Sequence, residues 1–191
     1  MQADERKKID LFLIDRGFRK DVVSRFCNFA RLTKRYSFEV LPAKGSSNKQ
    51  YRVAKGTLIG RQYEGCHKRK PANKGESPYI QQNSCVWREA AQRAFLGAPG
   101  VSGGCTLHRV PGKDGHLPFA QQIVIERLLD KVMIDGVWNY KWTELFGKQN
   151  DWLDALTGCW VAGACKGLSA SGAPVVKKKR KARKKRSVRY V

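Results

Sequence analysis

The sequence predicts a single α/β domain. Three observations lead there. A short apolar run, Leu11-Phe12-Leu13-Ile14, ends on Asp15 and Gly17 and gives way to apolar residues at helical spacing (Val22, Val23, Phe26, Phe29, Ala30). Strand-like and helix-like segments then alternate along the chain. Finally, 191 residues with 41% hydrophobic content suffice for one core.

Asp15 stands at the expected C-terminal end of the first strand, before a turn that Gly17 makes easy. In open α/β sheets that edge is where ligands bind. Asp also begins turns and caps helices with no further role. A chemical role for Asp15 therefore requires a second carboxylate facing it.

Ser37–Leu41 reads as a second strand and the following PAKGSSNK as a loop. In that loop Lys44 and Gly45 would set a cation and backbone N–H groups near phosphate, although a solvated turn has the same composition. The P-loop pattern is missing, so no nucleotide site is expected. Tyr51–Ile59 fits a strand. Arg61–Lys74 reads as a basic loop in which Arg61, Lys68, Arg69 and Lys70 surround Tyr63, a mixture suited to nucleic acid and to any exposed basic loop. Trp87–Phe95 has the pattern of a short amphipathic helix stopped by Gly97-Ala98-Pro99-Gly100. Gly103–Val110 reads as a strand. Pro118–Val132 reads as a helix with Pro118 in its first turn. Met133–Trp142 reads as a short strand or hairpin around Asp135-Gly136.

Asn150–Cys165 is the last expected helix, with Asn150 as its cap. Asp151, Ala155, Gly158 and Ala162 share one face, a stripe of little bulk that would let the helix approach a sheet closely. Asp154 heads the neighbouring stripe, and Leu153, Leu156 and Trp160 supply the core-facing bulk. Acidic residues also favour a first turn simply by complementing the helix dipole.

The charge narrows the partners. Lys and Arg number 38 against 16 Asp and Glu, a formal net charge of +22. Such a surplus attracts polyanions, nucleic acid first. Ten of the 13 residues from Lys177 to Arg189, including Lys177, Lys178, Lys179 and Arg180, are basic, so the remainder still carries 22 − 10 = +12. Residues 1–166 are expected to form the domain, 167–176 a flexible linker and 177–191 a disordered basic tail. No apolar run is long enough to cross a bilayer and no signal-peptide pattern stands at the N-terminus, so a membrane is not expected as partner. Six cysteines without a CxxC pair read as reduced thiols. Cys66, His67, Cys85, Cys105 and His108 offer zinc ligands at spacings that match no standard site.

Carboxylates at a strand end (Asp15) and a helix start (Asp151, Asp154) in a basic protein suit Mg²⁺ or Mn²⁺, hard cations that take oxygen ligands. A pair of such ions about 4 Å apart can cleave a phosphodiester. The ordered motifs IDRGFRKDVVSRFC, VLPAKGS, LHRVP, ERLLDK and W-x7-NDWLDAL (Trp142–Leu156) resemble the C-terminal nuclease domain of phage terminase large subunits, across residues 9–165. The resemblance implies an RNase H-like fold, a mixed sheet flanked by helices, with a metal-dependent endonuclease activity that cuts concatemeric double-stranded DNA during packaging, and a host-cell cytoplasmic location. It implies Asp15 and Asp151 as metal ligands, Asp154 as the nearby alternative, and Lys44 as the lysine of the KG turn. Its expected partners are an ATPase domain or subunit, a small terminase subunit and a portal. The family's further acidic residue would lie on an earlier strand, before residue 1 or in a degenerate position, and a sheet truncated at its N-terminal strands is expected. A catalytically inactive basic DNA-binding fragment is the alternative.

Overall fold

The computed structural model describes residues 8–53, 56, 58–63, 65–108, 111–112, 114–134, 137–143 and 149–167. Lys177, Lys178, Lys179 and Arg180, with nearly all of the expected linker and the whole tail, lie outside them.

The chain forms a mixed α/β architecture. Strand β1 (Leu11–Asp15) leads into helix α1 (Lys20–Thr33) and returns as β2 (Glu39–Ser46). A hairpin of β3 (Leu58–Tyr63) and β4 (Cys66–Arg69) precedes β5 (Tyr79–Asn83), which runs directly into helix α2 (Ser84–Arg93). These strands make a five-stranded sheet in the order β1-β2-β5-β4-β3, with β1, β2 and β5 parallel and the β3–β4 hairpin antiparallel to its neighbours. Helix α3 (Leu117–Ile123), the hairpin β6 (Leu128–Ile134) and β7 (Val137–Trp142), and helix α4 (Asp151–Cys165) follow.

Pleating divides the sheet into two faces. On one face Leu41, Cys66 and Ile80 meet Trp87 of α2 and Val161 and Ala164 of α4, with Leu11 and Leu13 beside them. On the other, Val40 and Ile14 meet Cys27 and Ala30 of α1. The buried stripe of α4 is Leu153, Thr157, Val161 and Ala164, spaced at i, i+4, i+8 and i+11.

Several expectations from sequence are corrected. The PAKGS segment is not a loop: β2 continues through Ser46 because it is sandwiched between β1 and β5. Pro42 is tolerated there because the β2–β5 ladder starts only at Ala43, so no partner waits for its missing N–H. The supposed basic loop from Arg61 contains the β3–β4 hairpin. The strand expected over Tyr51–Ile59 begins only at Leu58. The helix expected over Pro118–Val132 stops at Ile123, where β-branched Val124 and Ile125 follow and pairing with β7 claims Leu128–Ile134. Residues 104–108 form no strand. The small-residue stripe of α4 does not meet the sheet: Ala155 is exposed and a Cβ on Gly158 would touch nothing.

Candidate metal and nucleic-acid site

Asp15 pairs in register with Ala43, so its side chain shares the sheet face of Leu13 and Leu41, against which α4 packs. One carboxylate oxygen accepts the Gly17 N–H at 3.1 Å, an Asx-type turn that fixes the group at the end of β1. The residue is exposed. Its neighbour Arg16 points the other way and is 5% exposed. The Arg16 guanidinium lies 4.1 Å from the Tyr79 ring centroid and 3.4 Å from Glu76. The Arg16 N–H also bonds the Ala43 carbonyl at 2.9 Å, tying the turn to β2. Glu76, bonded to Lys20 and Asn73, is held below its usual carboxylate range, chiefly by the Lys20 ammonium.

The C-terminal end of α4 is fixed on β4, where Cys165 is hydrogen-bonded to Cys66. The first turn of α4 is held by α2 and α3, through Arg88 on Asp154 and Gln122 on the Trp152 N–H.

The two acidic residues of that turn differ. Asp154 is engaged: Arg88 of α2 donates to it at 2.7 Å and also pairs with Glu126. Asp151 is exposed and has no partner among the described residues. Asn150 does not cap the helix with its side chain; its amide donates to Glu126 instead. The capping acceptor comes from α3, where Gln122 Oε1 takes the Trp152 N–H at 3.1 Å. The sequence reading missed Arg88, Gln122 and Glu126. Glu126 was placed within a continuous helix, whereas it stands in the turn before β6, where its carboxylate reaches two other elements.

The expected phosphate-binding residues are dispersed. Lys44 is exposed near the end of β2 but pairs with Gln81, which puts it on the face opposite Asp15. Lys68 is tied to Glu39, and Arg69 donates to Gln81 at 2.7 Å. The register sets Lys68 level with Asp15 on the same sheet face but three strands away, across Ala43 and Ile80, and Arg69 on the opposite face. Arg61 falls in β3, and its side chain lies outside the described residues.

The zinc reading finds no geometric support among the described residues, where no group of three or more His, Cys, Asp and Glu is disposed to hold a metal ion. Cys66 and His67 are adjacent on β4 and face opposite sides. The Cys66 thiol is bonded to Cys165 and buried, and both effects push its pKa up. His67 accepts from or donates to the Tyr51 hydroxyl at 3.0 Å. Burial, then the nearby Arg69 charge, lowers the His67 pKa.

No helix among the described residues is long and apolar enough to cross a membrane. In comparisons with known proteins, the chain matches no family model, no curated protein and no solved structure.

Proposed function

We propose that this chain is an RNase H-like, metal-dependent DNA endonuclease domain of the viral packaging-terminase type. The observation that carries the reading is Asp15, an exposed carboxylate that closes β1 on the sheet face covered by α4, the helix whose exposed first-turn Asp151 has no partner among the described residues. Both groups are exposed carboxylates, the donor type that Mg²⁺ or Mn²⁺ takes, and Mg²⁺ commonly keeps several waters while using one or two protein carboxylates. Asp15 and Asp151 would hold the metal; Asp154 would join only if its bond to Arg88 opened.

Bound there, the metal would supply a water nucleophile and charge stabilisation at the scissile phosphodiester. The chain's own residues do the rest. The Gly17 N–H orients the Asp15 carboxylate through one oxygen. Arg88 holds α2 to the start of α4 through Asp154 and Glu126, which keeps the α4 turn in register with the sheet. The net charge of +22 holds duplex DNA by its phosphates. Double-stranded DNA, an ATPase motor, a small terminase subunit and a portal are the proposed partners, in a host cytoplasm.

A plasmid-nicking assay with Mn²⁺ tests this, comparing the wild type with Asp15→Asn and Asp151→Asn. Loss of nicking in both variants, with DNA binding retained, supports the assignment; equal nicking by all three removes it.

The second reading is a DNA-binding module without catalysis. It is favoured by the engagement of Asp154 with Arg88 and by the lack, among the described residues, of a cluster of three metal-binding side chains. It predicts no nicking by the wild type at any Mn²⁺ concentration, with binding that weakens steeply as salt rises.

A further inference from the structure

We infer that the outer edge of β1 and the aromatic ledge beside it accept an added β-strand from an acidic partner polypeptide. Among the described residues, strand β1 is the terminal strand of the sheet and pairs only with β2. Along a strand, the N–H and C=O of one residue point to the same side, and the side alternates from residue to residue. The Asp10 carbonyl accepts from Glu39 N–H and the Arg16 N–H donates to the Ala43 carbonyl, so even-numbered residues face β2. Leu11, Leu13 and Asp15 therefore turn their backbone groups outward, where no described residue pairs with them.

Edges of this kind are normally blunted by Lys, Pro or a bulge. β1 has none of these. Its run Leu11-Phe12-Leu13-Ile14 has the composition of a strand buried on both faces, yet Phe12 is 48% exposed. From Phe12 an unbroken series of rings leads away from the edge. Phe12 contacts Phe38 at 6.4 Å between centroids, Phe38 stacks on Tyr36 at 5.3 Å, and Tyr36 meets Phe26 of α1 at 6.3 Å. Val22 and Phe29, one turn either side of Phe26, are 47% and 49% exposed. Contiguous apolar surface of this kind marks an interaction site, and a free strand edge recruits extended backbone.

Charge chooses the occupant. Exposed Arg19, Arg25, Lys34 and Arg35, on and beside α1 and without ion pairs among the described residues, outnumber exposed Asp10 and Asp21 there. A second copy of the chain would bring the same basic residues and another +22, which opposes self-pairing. An apolar strand flanked by Asp or Glu satisfies the edge, the rings and the basic residues together.

The test is selection of a displayed random-peptide library on the purified full chain, followed by binding measurements on the selected peptides. The expected sequences alternate apolar residues and carry Asp or Glu at their flanks. N-methylation of alternate peptide amides should weaken binding about tenfold, as loss of one or two backbone hydrogen bonds predicts. Phe26→Glu and Arg25→Glu, both at exposed positions, should weaken it comparably while leaving the thermal melt unchanged. No enrichment, binders indifferent to N-methylation, or selection of basic peptides would overturn the proposal. So would a wild-type dimer in sedimentation that Phe26→Glu abolishes, since the occupant would then be a second copy.

Discussion

Gly17 and Asp15 are bound to each other sterically as well as by a hydrogen bond. A Cβ built on Gly17 would stand 3.1 Å from an Asp15 carboxylate oxygen. Gly17→Ala should therefore displace that carboxylate with little effect on the fold, because the position has no positive φ. The expected result is a raised Mn²⁺ requirement for nicking with an unchanged melting temperature. An unchanged metal requirement would show that the Asp15 rotamer is immaterial. His67 makes a second prediction at this scale. Burial and Arg69 hold its pKa below the 6.5 of an unhindered histidine. The unfolded chain takes up a proton near pH 6.5 that the folded chain refuses, so the folded state loses stability as pH falls through that value. Urea midpoints at pH 7.5 and 5.5 should differ in that direction, and His67→Gln should shrink the difference even if it lowers both midpoints.

The elements differ in how plainly the sequence announces them. The α4 helix was legible from apolar residues at its period, although of the expected core-facing Leu153, Leu156 and Trp160 only Leu153 is buried, with Thr157, Val161 and Ala164, and β1 was legible because its apolar run ends on Asp15 and a turn. Helix α1 was legible as a helix but not in its packing: Val22, Phe26 and Phe29 repeat like a core face, yet the buried stripe is Ser24, Cys27 and Ala30. Small residues let α1 sit close to the sheet and leave the larger ones outside. The β3–β4 hairpin and the reach of β2 through Pro42 were not legible, since pairing across the sheet outweighs local turn chemistry. Nor was the way the α4 start is held, because Gln122, Glu126 and Arg88 converge on it from two other elements. Gln122→Ala should cost about 1 kcal/mol in urea unfolding, the usual value of a helix cap. Leu153→Ala, at a fully buried position of the same helix, should cost about 2–5 kcal/mol. A larger loss from the cap than from the core residue would contradict this account of α4.

At the scale of the whole molecule, charge and edge geometry have separate duties. The basic surplus gives affinity for phosphate with no need of Asp15 or Asp151, so duplex binding should fall steeply between 50 and 200 mM salt, losing about 10³-fold if six or more phosphates are contacted. Removing residues 175–191 should flatten that slope. A slope indifferent to the deletion would place the phosphate contacts on the body, where +12 remains without Lys177–Arg189. Lys68 stands level with Asp15 on one sheet face, tied to Glu39, while Arg69 lies on the other face, so a duplex reaching Asp15 would not be gripped by both at the same time. On the proposed reading, cleavage would depend instead on Asp15 and Asp151. The most direct measurement is anomalous X-ray scattering from crystals of the protein soaked in Mn²⁺. The account predicts a manganese peak bounded by Asp15 and the first turn of α4, lost in Asp15→Asn. Manganese bound elsewhere, or a separation between these carboxylates too large for them to share ions about 4 Å apart, would contradict it.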